Sequence, residues 1–82
     1  MTETVDKVPL SDAAIGKVYV LVGCEAGQQL KEKVYSMGLN SGARLRIINN
    51  SGHGPVGLEV RQTKLGIGRG MATKIWVREV EP

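Results

Sequence analysis

Five stretches of the chain alternate between two sets of side chains at the two-residue period of a strand, and one repeats apolar residues at helical spacing. Lys17 to Val22 sets Val18, Val20 and Val22 on one face and Lys17, Tyr19 and Leu21 on the other. β-branched alternation of this kind predicts a strand with the valines inward. From Gln28 to Met37 the apolar Leu30, Val34 and Met37 form one stripe, and Lys31, Glu32 and Lys33 turn to water. That is a short helix. Arg44 to Ile48 returns to strand spacing, with Leu45 and Ile47 inward and Arg44 and Arg46 outward. Val56 to Gln62 continues it, with Leu58 and Val60 inward and Glu59 and Arg61 outward. Lys64 to Gly68 buries Leu65 and Ile67; Lys74 to Val80 buries Ile75 and Val77 and turns Trp76 and Arg78 outward. Between the last two strands, Arg69 to Thr73 has the length of one 3₁₀ turn.

The change from helical to strand period falls at Met37-Gly38-Leu39-Asn40-Ser41-Gly42. Gly38 suits a helix C′ position at positive φ, and Leu39 can fold back onto the last turn. Gly42 suits a tight turn into the next strand. Nothing in this stretch is catalytic by residue type. Asn49 to Pro55 is a hairpin loop by composition. The loop and the motif turn are expected to be mobile or partner-facing, because loops on a rigid scaffold commonly carry recognition. Residues 1–8 are expected to form a flexible N-terminus, with the folded domain spanning 9–80 and Ser11 or Asp12 capping its first turn.

The pattern therefore predicts a mainly β fold. It is a small β-barrel of about five strands, with one short helix inserted between strands 1 and 2. Small sheets of short strands tend to close and so remove their edges. Phe is absent and only Tyr19, Tyr35 and Trp76 are aromatic, so the core is aliphatic.

Composition narrows the function classes. Eighty-two residues support one domain with a small core. No apolar run approaches the roughly 20 residues that span a bilayer, so no direct membrane insertion is expected. The first seven residues carry no basic stretch followed by an apolar one, and the single cysteine, Cys24, has no internal partner. Both point to a cytoplasmic setting. The net charge of +3 is uneven: residues 16–78 hold ten bases and three acids, while the two ends are acidic. The basic middle favours a negatively charged partner, which could be nucleic acid, an anionic membrane surface or an acidic protein patch.

Candidate chemistry is sparse. Cys24 and His53 could pair as nucleophile and base, but no third group orients them. Gly66-Ile67-Gly68-Arg69-Gly70 lacks the lysine and the βαβ context of a phosphate loop. Its glycines suit sharply bent strands. Cys24 and His53 are weak metal candidates, with Glu25, Met37 and Met71 beside them, and no pair stands at ligand spacing. An enzymatic role and a cofactor are therefore not expected. Nucleic-acid binding is the rival reading: Arg44, Arg46 and Arg61 face outward, and Tyr19 and Trp76 could stack on bases.

The order of features also resembles a known family. Leu10-Ser11, a valine-rich strand and a helix precede Met37-Gly38-Leu39-x-x-Gly42. A basic-apolar strand and a Gly54-Pro55 hairpin follow, then Leu65-x-Ile67-x-Arg69-x-x-Ala72-x-x-Ile75-x-Val77. Over about residues 9–78 this resembles the FeoA family, ferrous iron transport protein A. It is also similar to the SH3-like barrel appended to some iron-dependent repressors. The resemblance implies an SH3-like barrel in the cytoplasm and a non-enzymatic accessory role in bacterial ferrous iron uptake. The implied partner is FeoB, a membrane protein with a cytosolic GTP-binding domain. The chain has no helix-turn-helix region, so the stand-alone transport form fits better. Beyond the motif turn, the candidate partner-binding residues are Tyr19, Leu21, Trp76, Arg44, Arg46, Arg61 and His53. By alternation Tyr19, Leu21 and Trp76 form one outward apolar cluster rimmed by Lys17 and Arg78, a surface for FeoB or for a second copy of the chain.

Overall fold

The computed structural model describes residues 7–25 and 27–81. Six strands form one antiparallel sheet in the order β1-β6-β2-β3-β4-β5. They are β1 Lys7–Pro9, β2 Val18–Cys24, β3 Arg44–Asn49, β4 Val56–Val60, β5 Thr63–Ile67 and β6 Ile75–Val80. The helix α1, Gln28–Ser36, joins β2 to β3, the second and third strands of the sheet. A single helical turn, α2, Arg69–Ala72, joins β5 to β6, and a 3₁₀ turn, Leu10–Asp12, follows β1.

Three expectations change. The sheet has six strands, because Lys7–Pro9 pairs with β6: Lys7 faces Arg78, Val8 faces Val77 and Pro9 faces Trp76. The ordered domain thus begins at Lys7, inside the stretch expected to be flexible, and residues 1–6 lie outside the described residues. The sheet is also open: among the described residues no pairing joins β5 to β1. Both edges carry features that blunt them. β1 has three residues and ends in a proline without an N–H, and β5 carries the exposed Lys64. The turn at Leu10–Asp12 has Pro9 at its N-cap and no side-chain cap from Ser11 or Asp12.

The inner face follows the predicted parity on β3, β4, β5 and β6. Leu45, Ile47, Leu58, Val60, Ile67, Ile75 and Val77 are buried. Val34 of α1 is fully covered, and Leu30, Met37 and Leu65 pack half-buried against the cluster. Leu10, Leu39, Val56 and Ala72 complete the core, which is aliphatic except for Tyr19.

On β2 the parity is reversed. Tyr19 and Leu21 are the inward residues, at 4% and 2% exposure, and Val18, Val20 and Val22 lie on the other side. The register explains it. Tyr19 stands directly opposite Leu45, and Leu21 directly opposite Val77, and residues directly opposite each other share a face. Tyr and Leu also bury more apolar surface than two valines. The Tyr19 hydroxyl accepts a hydrogen bond from the Ala14 N–H at 2.8 Å, so the ring's polar end is not orphaned. Val22 is the extra residue of a bulge between Leu21 and Gly23, and Ile48 holds the same place on β3. Each bulge turns one large apolar side chain to solvent.

β4 and β5 are joined by Arg61 and Gln62 alone, with Val60 paired to Thr63. Both turn residues have positive φ, 51° and 67°, as a type I′ hairpin demands. Arg61 is therefore a turn residue and not the end of the strand that its alternation suggests.

Candidate functional site

The motif turn is built as its residues predict. Leu39 N–H donates to Val34 O at 3.2 Å, and Gly38 N–H donates to Tyr35 O at 3.0 Å. With Gly38 at φ 90°, this pair of bonds closes α1 as a Schellman motif, and Leu39 drops into the core beside Val34. Gly42, at φ 85°, sits in the turn closed by Ala43 N–H to Asn40 O. Its own N–H reaches Leu21 O at 2.8 Å, and Leu21 N–H reaches Ala43 O at 2.9 Å. Met37, Gly38, Leu39 and Gly42 thus fix where β3 meets β2.

That meeting decides what the outer face of the sheet presents. One cross-strand row runs Lys7, Arg78, Val20, Arg44 over β1, β6, β2 and β3. The next runs Val80, Val18, Arg46, Glu59, Lys64 over β6, β2, β3, β4 and β5. Arg44, Arg46, Glu59, Arg61 and Gln62 surround a shallow depression of about 380 Å³ floored by Val18. Arg44, Arg46 and Arg61, separate in sequence, are therefore brought together. Val18 is only 9% exposed although it lies on this face and outside the core cluster. Long arginine stems over a valine floor account for this.

The face has six cations, Lys7, Arg44, Arg46, Arg61, Lys64 and Arg78, and one carboxylate, Glu59. All six cations are exposed. Among the described residues the only ion pair is Lys17 with Glu79, at 3.3 Å. Arg44 gives one Nη2–H to the neutral Glu81 carbonyl at 2.8 Å, and among the described residues none of the six cations has a carboxylate in ion-pair contact.

The predicted apolar cluster of Tyr19, Leu21 and Trp76 does not exist. Tyr19 and Leu21 are in the core, because their register partners are, and only Trp76 lies on the outer face. Lys7 Nζ sits 5.0 Å from the Trp76 ring centroid, and the half-buried ring keeps its Nε1 without a hydrogen-bond partner among the described residues.

The remaining candidates do not converge. Cys24 ends β2 opposite Ile75 and packs half-buried against the core, while His53 is exposed at the tip of the β3–β4 loop. Met37 and Met71 are core-packing residues, and Glu25 is exposed. Among the described residues no three of His, Cys, Asp and Glu gather as a metal site would require. The loop is anchored at its base rather than free throughout. Asn50 Nδ2 donates to Ser11 O and Ala13 O at 3.0 and 2.8 Å. Arg69 donates through Nε to Gly54 O, through Nη1 to Ser11 O and through Nη2 to Asn50 Oδ1. One guanidinium fork ties three segments together. The isolated Asn50 and Arg69 carried no sequence signal for this beyond their residue types.

Comparison with known proteins agrees with this architecture. The FeoA domain family matches residues 8–79. A candidate Fe(2+) transport protein A from Methanocaldococcus jannaschii is 36% identical over 73 residues, covering 89% of this chain and 88% of that one. The crystal structure of an iron uptake regulatory protein, FeoA, superposes with a TM-score of 0.83 at 29% identity, over 93% of this chain and all of that one. A manganese-dependent transcriptional repressor also superposes at 0.83, at 20% identity, over 95% of this chain but 44% of its own. The last likeness is one of fold, the SH3-like β fold, alone.

Proposed function

The chain belongs to the FeoA family, and on that premise we propose that it is a cytoplasmic accessory protein of ferrous iron transport that acts by contact with the transporter FeoB and not by catalysis. The observation that supports this reading is the outer face of the sheet. A rigid sheet presents six exposed cations around valines, the composition of a recognition surface for an acidic protein region. Contact of this kind requires no nucleophile, no base and no resident metal.

The nucleic-acid reading loses its main support at the same place. A base-stacking platform requires exposed aromatic rings among the cations. Tyr19 is buried with its hydroxyl engaged, and Trp76 is half-buried with Lys7 against its ring.

Calorimetric titration of the purified chain into the cytosolic GTP-binding domain of FeoB, repeated after nuclease treatment, tests the proposal. Saturable binding that survives nuclease is the expected result. No binding, or binding that disappears with nuclease, overturns it.

A further inference from the structure

We propose that the outer face of β6, β2 and β3, together with the β4–β5 turn, is the surface that docks the partner, and that the partner's contacting segment is acidic with apolar residues among its acids. The inference rests on the transporter-contact reading above and adds to it the face and the chemistry of what binds there.

Charge is the first argument. Lys7, Arg78 and Arg44 lie in one cross-strand row, and Arg46 and Lys64 in the next, with Arg61 at the adjoining turn. Strands are spaced about 4.8 Å apart, so the row from Lys7 to Arg44 spans about 14 Å. That matches acids spread over about two and a half turns of a helix, or over about four residues of an extended segment. Glu59 is the only acid in the rows and stands across from Arg46 without pairing to it. Such a field repels a basic partner and attracts an acidic one.

The apolar content is the second. Val18, Val20 and Val80 sit between the cations, and Val18 floors the depression. Val18 is already covered by the arginine stems, but Val20 and Val80 are only half-buried, so an acidic segment carrying an apolar residue covers them while its acids pair with the cations. Nucleic acid offers phosphates to the rim, but Trp76, the one described ring on this face, is half-buried with Lys7 against it and makes no stacking platform.

The third is the turn. Arg61 and Gln62 both hold a left-handed conformation that costs a non-glycine residue about 1–2 kcal/mol. The type I′ turn requires this conformation, and it sets Arg61 and Gln62 among the residues that line the depression.

The test is titration of the whole chain into FeoB's cytosolic domain, comparing wild type, Arg44→Glu with Arg46→Glu, Arg78→Glu alone, and Lys33→Glu as the control. Lys33 is exposed on α1 and outside the rows. All are exposed, so melting temperatures should stay close to wild type. The expected result is a loss of about tenfold or more in affinity for the double and single outer-face variants, and a change within about twofold for Lys33→Glu. Wild-type affinity should also fall steeply as ionic strength rises from about 0.1 M to about 1 M, which shortens the Debye length from about 10 Å to about 3 Å. This salt titration needs no variant and stands if one misfolds. Wild-type affinity in the outer-face variants, with little salt dependence, overturns the face while leaving transporter contact intact. Failure of wild type itself to bind overturns both. Tighter binding to a single-stranded oligonucleotide than to the transporter domain reassigns the face to nucleic acid and overturns the proposal.

Discussion

Leu21 and Val20 are neighbours in sequence and opposite in fate. Leu21 lies under the sheet against Val77, and Val20 lies above it between Arg78 and Arg44. Truncating the first leaves a cavity in a small core; truncating the second shortens a surface floor. Leu21→Ala should therefore cost about 2–5 kcal/mol, and Val20→Ala about 1 kcal/mol or less. Chemical denaturation of the two variants checks this. The opposite ranking would restore the valine-inward register and dissolve the outer face. Tyr19 obeys the same logic, since its ring fills the core and its hydroxyl serves the Ala14 N–H. Arg69 shows how much one side chain can organise. Its planar fork donates through all three nitrogens, to Ser11 in the 3₁₀ turn and to Asn50 and Gly54 in the β3–β4 loop, and so joins both segments to α2 as no single lysine could.

Among elements, the β4–β5 hairpin carries a separable cost. Gln62→Gly relieves a left-handed residue and should raise stability by up to about 1 kcal/mol, after the extra chain entropy that glycine loses. Gln62 lines the depression but is uncharged, so with Arg61 kept the affinity for the transporter domain should fall by about twofold or less. Adding Arg61→Asn completes the favoured turn sequence and should retain the stability while weakening binding. Thermal melts and titrations of both variants separate the two effects. A Gln62→Gly chain that is less stable would show that the turn is not strained. The hairpin also marks where sequence pattern stops being informative. β3, β4 and β6 were legible because Arg or Glu alternates with Leu, Ile or Val, which leaves one choice of face. β2 was not, because both of its faces are apolar and only pairing with Leu45 and Val77 decides between them. β1 is too short to show a period, and Arg61-Gln62 carries neither glycine nor asparagine to announce a turn. The closure of α1 was fully readable, since Gly38, Leu39 and Gly42 admit few other uses.

At the scale of the whole molecule, the chain is a single open sheet with its aliphatic core on one side and a basic rim around valines on the other. The individual arginines of that rim were visible as outward residues. Their alignment was not, because it depends on β6 pairing with both β1 and β2 across most of the chain's length. The proposed docking surface depends on that alignment: a face assembled from both ends of the sequence exists only in the folded domain. Backbone amide chemical shifts of the labelled chain, recorded with and without the cytosolic domain of FeoB, test this account most directly. The account predicts perturbation concentrated on β6, β2, β3 and the Arg61–Gln62 turn, with α1 unaffected. Perturbation confined to α1 and the β3–β4 loop, with the outer face unchanged, would contradict it.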